Sequence, residues 1–329
     1  EQCQSQFLLF AVKEETRTHS RWPMAVEAAK YVGEPVAVVV AVSATAAADA
    51  LELIEVEYEP LPAVIDVEAA ARGDSPLVHE DLGTNLSVET SGTAGDPEGA
   101  FRDASGVVSV RLAEPRLVPS PMESRAVVAS YERGTGNMTM WLSTQTPHLE
   151  RSFVSQVLGF PENKLRILSR DVGGGFGCKI DTYPETVIAA ILAIRLAKPV
   201  KWVEDRQENF TSTIHGRGEV QYVDAAYDDD GVLLGMRLSY YTELGAYSTG
   251  GTHSIVDAST PSGAQGAYRV RNLEWTTYGV FTNKVPVGPY RGYGQHATAY
   301  LTERVMDLIA ARLAMDPAEV RRRNFIPAD

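Results

Sequence analysis

The sequence predicts an α+β fold in two units, and three observations predict it. β-Branched and alternating runs recur, with turn residues between them. Capped helical stretches lie among these runs, but no regular strand–helix alternation extends over the whole chain. A stretch rich in Asp, Gly, Pro and Ser, residues 63–100, reads as a linker or extended crossing segment between a short first unit and a longer second one. A length of 329 residues suits about two domains.

Residues 1–20 are mixed and polar. Gly33-Glu34-Pro35 reads as a turn into Val36–Val42, a β-branched run expected to be a buried strand. Ser43 caps an alanine-rich helix that reaches Ile54, and Glu55–Glu59 alternates as a second strand stopped by Pro60. In the second unit, Val107–Arg116 alternates as a strand. Arg125–Tyr131 and Met138–Ser143 read as a hairpin around Gly134 and Gly136. A helix over Leu149–Leu158 ends at Gly159. The strand Leu165–Ser169 then runs into a glycine cluster. Next come a helix over Glu185–Leu196, a short strand Val200–Val203, and a hairpin of Gln221–Tyr227 with Val232–Tyr241 turned by Asp228–Gly231. Thr298–Ala314 is a long helix with Leu301, Val305, Leu308, Ile309 and Leu313 on one face, and Asp316-Pro317 opens a last short helix.

Composition excludes several function classes. Hydrophobic residues are 44% and charged residues 22%, an ordinary globular balance. Acidic residues outnumber basic ones 43 to 30, a net charge of −13, which argues against a nucleic-acid partner. No apolar run approaches the ~20 residues of a membrane span. Cys3 and Cys178 are the only cysteines, too few for a disulfide framework, a zinc ribbon or a cysteine-held iron–sulfur cluster. A reduced, cytoplasmic setting is expected. The chain starts at Glu1 with no visible signal peptide, so a processed or excised piece is one expectation.

Three segments could carry chemistry. Gly173-Gly174-Gly175-Phe176-Gly177 follows a strand; glycines let the backbone approach another group, and successive amides can form an anion nest. It fits neither the Walker pattern nor GxGxxG, and a plain tight turn is the simpler alternative. Pro289-Tyr290-Arg291-Gly292-Tyr293-Gly294 places an arginine where its guanidinium or its own amide could meet an anion, or where it is only a surface loop. Ser143-Thr144-Gln145-Thr146-Pro147 ends a strand with a glutamine whose amide can be aimed at an oxygen, or is merely a helix-capping segment. The six histidines are scattered without metal-ligand spacing and are expected in satisfied polar or surface roles. Asp228–Gly231 reads as a hairpin turn, Arg321–Arg323 as a helix end paired with acidic neighbours, and Cys178 chiefly as a small packed residue.

Together, and in this order, the three segments resemble the molybdenum-binding subunit of the xanthine oxidase family of molybdenum hydroxylases. So do Tyr31–Ala37, Glu57–Pro62, Pro121-Met122-Glu123, Tyr183-Pro184-Glu185, Trp202–Arg206 and Arg322-Arg323-Asn324. The resemblance covers nearly the whole chain. It implies a partial α/β hammerhead-like domain over residues 1–72 and a first molybdopterin-binding α+β domain over 73–329. Gln145 matches the glutamine whose amide lies beside a molybdenum oxygen, the one residue given a catalytic part. Gly174, Gly175, Phe176, Gly177, Arg291 and Gly292 match the cofactor-binding loops, and the metal itself is held through the pterin, not by side chains. The cofactor implied is molybdopterin, in the cytosine dinucleotide form, with molybdenum.

There are departures from the family's pattern. Gly292 stands where copper–molybdenum carbon monoxide dehydrogenases carry a cysteine, which argues against a copper–molybdenum centre. Ile180 and Ser259 stand where xanthine-specific enzymes place a substrate-binding glutamate and arginine, which argues against purine hydroxylation. Ser124 replaces a proline in a Met-Glu-Pro-Arg pattern. The family's catalytic base, a glutamate in a Gly-Glu-Pro-Pro-like loop of a later domain, is absent; Gly33-Glu34-Pro35 has flanks of the N-terminal unit instead.

The resemblance therefore implies a hydroxylase component acting on an aldehyde or an N-heteroaromatic C–H of a small-molecule substrate, with oxygen derived from water. The catalytic glutamate would come from a second molybdenum-domain polypeptide or from a missing domain of a longer chain, and the other partners would be an iron–sulfur subunit and an FAD subunit. The chain alone is then expected to be inactive. The alternative is a non-catalytic assembly module with degenerate cofactor loops.

Overall fold

The computed structural model describes residues 16–19, 21–249 and 265–328. Cys3, His253 and Ser259 lie outside the described residues. In chain order the elements are α1 (Ala44–Leu51), α2 (Val67–Arg72), β1 (Leu86–Ala94), α3 (Pro97–Arg102), β2 (Gly106–Glu114), β3 (Ala126–Glu132), β4 (Asn137–Leu142), α4 (Pro147–Leu158), β5 (Leu165–Leu168), α5 (Pro184–Leu196), β6 (Val200–Val203), α6 (Arg206–Ser212), β7 (Glu219–Tyr227), β8 (Leu233–Gly245), β9 (Leu273–Phe281), α7 (Gln295–Leu313) and α8 (Pro317–Asn324).

Two mixed sheets organise the chain. One has the order β1-β9-β8-β7-β2, with only the β8–β9 pair parallel. The other has the order β5-β4-β3-β6, with only β4–β5 parallel. Val108, Val223, Leu238 and Leu273 of the first sheet share a core with Leu301, Val305, Met306 and Ile309 of α7. The period of these α7 residues is that of one helix face, as the sequence predicts. The second sheet packs Val127, Met138 and Met140 against Val154 of α4 and Ala189, Ala190 and Ala193 of α5. The small alanines let α5 lie close to the strands, with Val187, Ala189, Ala190 and Ala193 buried.

Several expectations need correcting. Val36–Val42 is not a buried strand: Val38, Val40 and Val42 are exposed, and neither this run nor Glu55–Glu59 joins a ladder. β-Branched residues favour a strand only where a partner satisfies the backbone, and none of the described residues pairs with them. Helix α1 forms behind its Ser43 cap but buries no residue. Residues 63–100 are not a linker. They contain α2, capped by Asp66, the strand β1 at the edge of the five-stranded sheet, and α3, capped by Asp96. Tyr31, Val64, Val67 and Ala70 pack into one core with Val88, Leu244 and Val280, so the start of the chain is tied to the large sheet. Strand β9 and helix α6 went unread in the sequence.

Other readings hold. Asp228 Oδ1 accepts from the amides of Asp230 and Val232 and closes the β7–β8 hairpin. Arg321 pairs with Glu303 and Asp307, and Arg323 with Glu319 and Asp230.

Candidate active site

The site begins where β4 ends. Thr146 precedes Pro147, whose fixed φ suits the first turn of α4, and this stops the strand at a sharp corner. The corner is stitched to residues 179 and 180. The Gln145 amide donates to Lys179 O at 2.8 Å, and the Thr146 hydroxyl donates to Ile180 O at 2.9 Å. Gln145 thereby stands beside the glycine loop. Its Oε1 accepts from the Gly177 amide at 2.9 Å and from the Lys179 amide at 3.3 Å. With the oxygen committed, the orientation of the carboxamide is fixed by the network, and Nε2 faces outward on an exposed side chain without an acceptor among the described residues.

The glycines are required by close approach. A Cβ at Gly175 would sit against Gln145 Oε1, and one at Gly177, where φ is +102°, would sit against Pro289 O. Between them Phe176 keeps a left-handed φ of 55° and an exposed ring. Such a backbone costs energy for a non-glycine residue and persists only where its surroundings hold it. The amides of Gly175 and Phe176 find no acceptor among the described residues.

The second loop is fastened to the first. The Arg291 amide donates to Phe176 O at 2.9 Å, so of the two groups suggested for an anion the amide is already used. The Arg291 guanidinium is exposed and has no acceptor among the described residues. Arg217, a residue that sequence reading missed, braces this loop from behind. It donates to Tyr290 O at 3.1 Å and to Arg291 O at 2.8 Å, and its guanidinium lies 4.5 Å from the Tyr290 ring centroid. Arg217 and Tyr293 also have positive φ. Of the five such non-glycine residues described, Phe176, Arg217 and Tyr293 belong to this site, and Ala197 and Ala314 end helices.

An ionic layer, half-buried at Glu123 and buried at Lys179 and Arg125, supports the glycine loop. Glu123 accepts from the Gly173 amide and from Lys179 Nζ, the latter at 3.2 Å. Burial pushes the Glu123 carboxyl up, but the Gly173 amide and Lys179 outweigh it and hold it below the usual range. Next to it, Arg125 is enclosed by Glu204 at 2.6 Å and Glu185 at 3.1 Å, and sits 3.7 Å from the Tyr183 ring centroid. Burial alone would lower the Arg125 pKa; Glu185, Tyr183 and Glu204 raise it instead. The Met122-Glu123-Ser124-Arg125 pattern thus gives one residue to the loop and one to the support beneath it. Cys178 Sγ is buried 3.0 Å from Gly175 O, and burial pushes its thiol up to about 11, so it packs as a protonated neighbour of the loop.

The three sequence segments therefore meet: Gln145 on Gly177, and Arg291 on Phe176. Comparison with known proteins shows the family to which the chain belongs. The sequence model of the molybdopterin cofactor-binding domain matches residues 78–325, and that of the aldehyde oxidase and xanthine dehydrogenase a/b hammerhead domain matches residues 8–62. The chain belongs to the xanthine oxidase family of molybdenum hydroxylases.

Among relatives in this family, the carbon monoxide dehydrogenase large chain of Hydrogenophaga pseudoflava is 38% identical over 309 residues, covering 89% of this chain and 38% of the relative. The nicotine 6-hydroxylase large subunit of Paenarthrobacter nicotinovorans is 35% identical, covering 92% of this chain and 37% of the relative. The crystal structure of quinoline 2-oxidoreductase from Pseudomonas putida 86 superimposes with a TM-score of 0.91 at 36% identity, covering 96% of this chain and 40% of that one. The chain spans about two-fifths of the length of these family members.

The residues present suit the family's cofactor. Unused amides at Gly175 and Phe176, the outward Gln145 Nε2 and the open Arg291 guanidinium are all donors. Donors without acceptors are what an anionic pterin–phosphate group with oxygen ligands on its metal needs.

Proposed function

We propose that this chain is the part of a molybdenum hydroxylase that cradles the molybdenum cofactor, and that the whole enzyme hydroxylates an aldehyde or an N-heteroaromatic C–H. The observation that carries this reading is the meeting of Gln145, Gly177, Phe176 and Arg291 through two hydrogen bonds, with their spare donors left open. When bound, the cofactor supplies the two-electron oxidation by which oxygen from water enters the substrate.

This chain's residues bind and orient. Gly174, Gly175, Phe176 and Gly177 present backbone to the cofactor, and Gly292 and Arg291 form the second wall. Gln145 Nε2 donates to an oxygen at the reacting centre, a position where one aimed donor is worth about 10²–10³ in rate. Gly292 has no side chain to ligate copper, and Cys178 is buried against the loop, so the reading excludes a copper-assisted reaction. The domain boundary is placed after Arg72. The cofactor is taken in its cytosine dinucleotide form.

The base comes from elsewhere. Glu123 is held ionised by Gly173 and Lys179, which makes it a weak proton acceptor, and Glu150 is buried beyond a substrate's reach. A glutamate on a second molybdenum-domain polypeptide, or on a further domain, takes that part. Iron–sulfur and FAD subunits carry electrons away, and the complex works in the cytoplasm. The chain by itself is inactive.

The test is turnover of the purified complex in ¹⁸O-labelled water, with metal analysis. The reading expects molybdenum in the complex and label in the hydroxylated product. A fully assembled complex without molybdenum supports the assembly-module alternative and overturns it.

A further inference from the structure

Outside the cofactor loops, the structure brings together two histidines far apart in the sequence. The rings of His19 and His79 stack with centroids 3.9 Å apart and planes 10° from parallel. His19 Nε2 lies 3.4 Å from Asp81 Oδ1. One ligand atom from each of His19, His79 and Asp81 falls within 4.8 Å of the others.

His79 gives the cluster its chemistry. It is 2% exposed, and its Nε2 lies 2.6 Å from Ala246 O. A carbonyl only accepts, so Nε2 carries the proton and Nδ1 keeps a bare lone pair. That Nδ1 is buried with no hydrogen-bond partner among the described residues, an expensive arrangement for a polar atom. A histidine that donates one ring N–H to a backbone carbonyl and leaves the other nitrogen open is arranged as a metal-binding histidine is. Phe281 and Tyr247 wall His79 in, with ring centroids 5.4 and 5.3 Å away, while Asp81 stays exposed and free to turn.

We propose that His19, His79 and Asp81 form a site for a divalent metal ion with a preference for imidazole nitrogen, zinc in the first place. Two imidazoles and one carboxylate are a ligand set that zinc accepts, with a fourth position for water. Tetrahedral bonds of ~2.0–2.1 Å put ligand atoms roughly 3.3 Å apart, so the cluster has to contract by at most about 1.5 Å. The exposed Asp81 allows that contraction, with the rings tilting out of their stack. The ion would fasten residues 16–19 to the turn before β1, adding to the hydrogen bonds that Arg17 and Ser87 already exchange there. The site's role is structural and independent of the molybdenum reading.

The test uses the chain in its native complex, treated with a chelator and equilibrated with zinc sulfate. Metal analysis after gel filtration is expected to show one zinc per chain beyond the untreated background. Cobalt substitution is expected to give the visible absorption of a four-coordinate nitrogen–oxygen site. Asp81→Asn, on an exposed residue that folding does not need, should weaken zinc binding by about tenfold or more, and His79→Gln should abolish it. His148→Ala, at an exposed histidine outside the cluster, should change nothing. No zinc retained by the parent complex, or retention unchanged in both Asp81→Asn and His79→Gln, overturns the proposal.

Discussion

Gln145 Oε1 accepts from the Gly177 amide at 2.9 Å, and this hydrogen bond decides how the whole side chain faces. It joins the end of a strand to a glycine loop far along the sequence. It also turns the carboxamide so that its nitrogen, a donor, is the outward atom. The oxygen holds the loop, and the nitrogen is left as an open donor.

These two roles separate by mutation. Gln145→Glu keeps an oxygen for the Gly177 and Lys179 amides but replaces the outward donor. It is expected to retain molybdenum while lowering turnover of the complex by about 10²-fold. Gln145→Ala removes both and should lose molybdenum as well. Metal content and kcat measured on the same preparations check this.

The glycine loop should tolerate no side chain where the backbone is crowded. Gly175→Ala and Gly177→Ala place a methyl against Gln145 and Pro289 respectively, and Gly177 also has a left-handed backbone. Both should reduce the molybdenum retained per chain. Gly134→Ala, in the β3–β4 turn with open space around it, should leave molybdenum content unchanged.

Arg125 is the buried cation on which the loop's support rests. Its partner Glu204 has a fully buried side chain, so Arg125→Met leaves that carboxylate without its charge partner. Breaking a buried pair in this way costs about 3–5 kcal/mol. Chemical unfolding of parent and variant should show a loss of that size, against near-neutral effects for the surface Arg322→Met.

Glu150 gives a pH signature. Burial pushes its carboxyl up to about 8 from 4.5, and Thr182 donates to it at 2.9 Å. A carboxyl raised in the folded state binds more protons there than when unfolded, so stability falls as pH rises from about 4.5 to about 8. Glu150→Gln removes the titration. Unfolding midpoints followed between these pH values should decline less steeply in the variant than in the parent.

Much of this was legible in the sequence, for physical reasons that differ by element. The glycine run at 173–177 pointed to an exposed, closely approached backbone, with a tight turn as the simpler alternative that the crowding at Gly175 and Gly177 now rules out. Helix α7 announced its buried face through Leu301, Val305 and Ile309. Gln145 and Arg291 carried a weak local signal, each with a bland alternative as a helix cap or a surface loop, and the resemblance tipped the balance. Arg217 was illegible because its work is done on backbone carbonyls distant in sequence. Val36–Val42 misled because a β-branched run reports propensity, while strand formation depends on a partner elsewhere. β1 was hidden by polar and small residues, Thr90, Ser91, Gly92 and Thr93, along the part of the edge strand where burial is slight. His19 and His79 escaped because metal-ligand spacing rules see only neighbours in sequence, whereas folding stacks these rings across a long separation.

The central claim is that three separated stretches of backbone converge to hold a pterin-bound metal. The most direct measurement is an anomalous-diffraction map of the purified complex at the molybdenum absorption edge. The account predicts one molybdenum peak per chain on the open face between Gln145 Nε2, the Gly175–Phe176 amides and Arg291. A molybdenum peak elsewhere in the chain, or a well-ordered site with no molybdenum in an active complex, would contradict it.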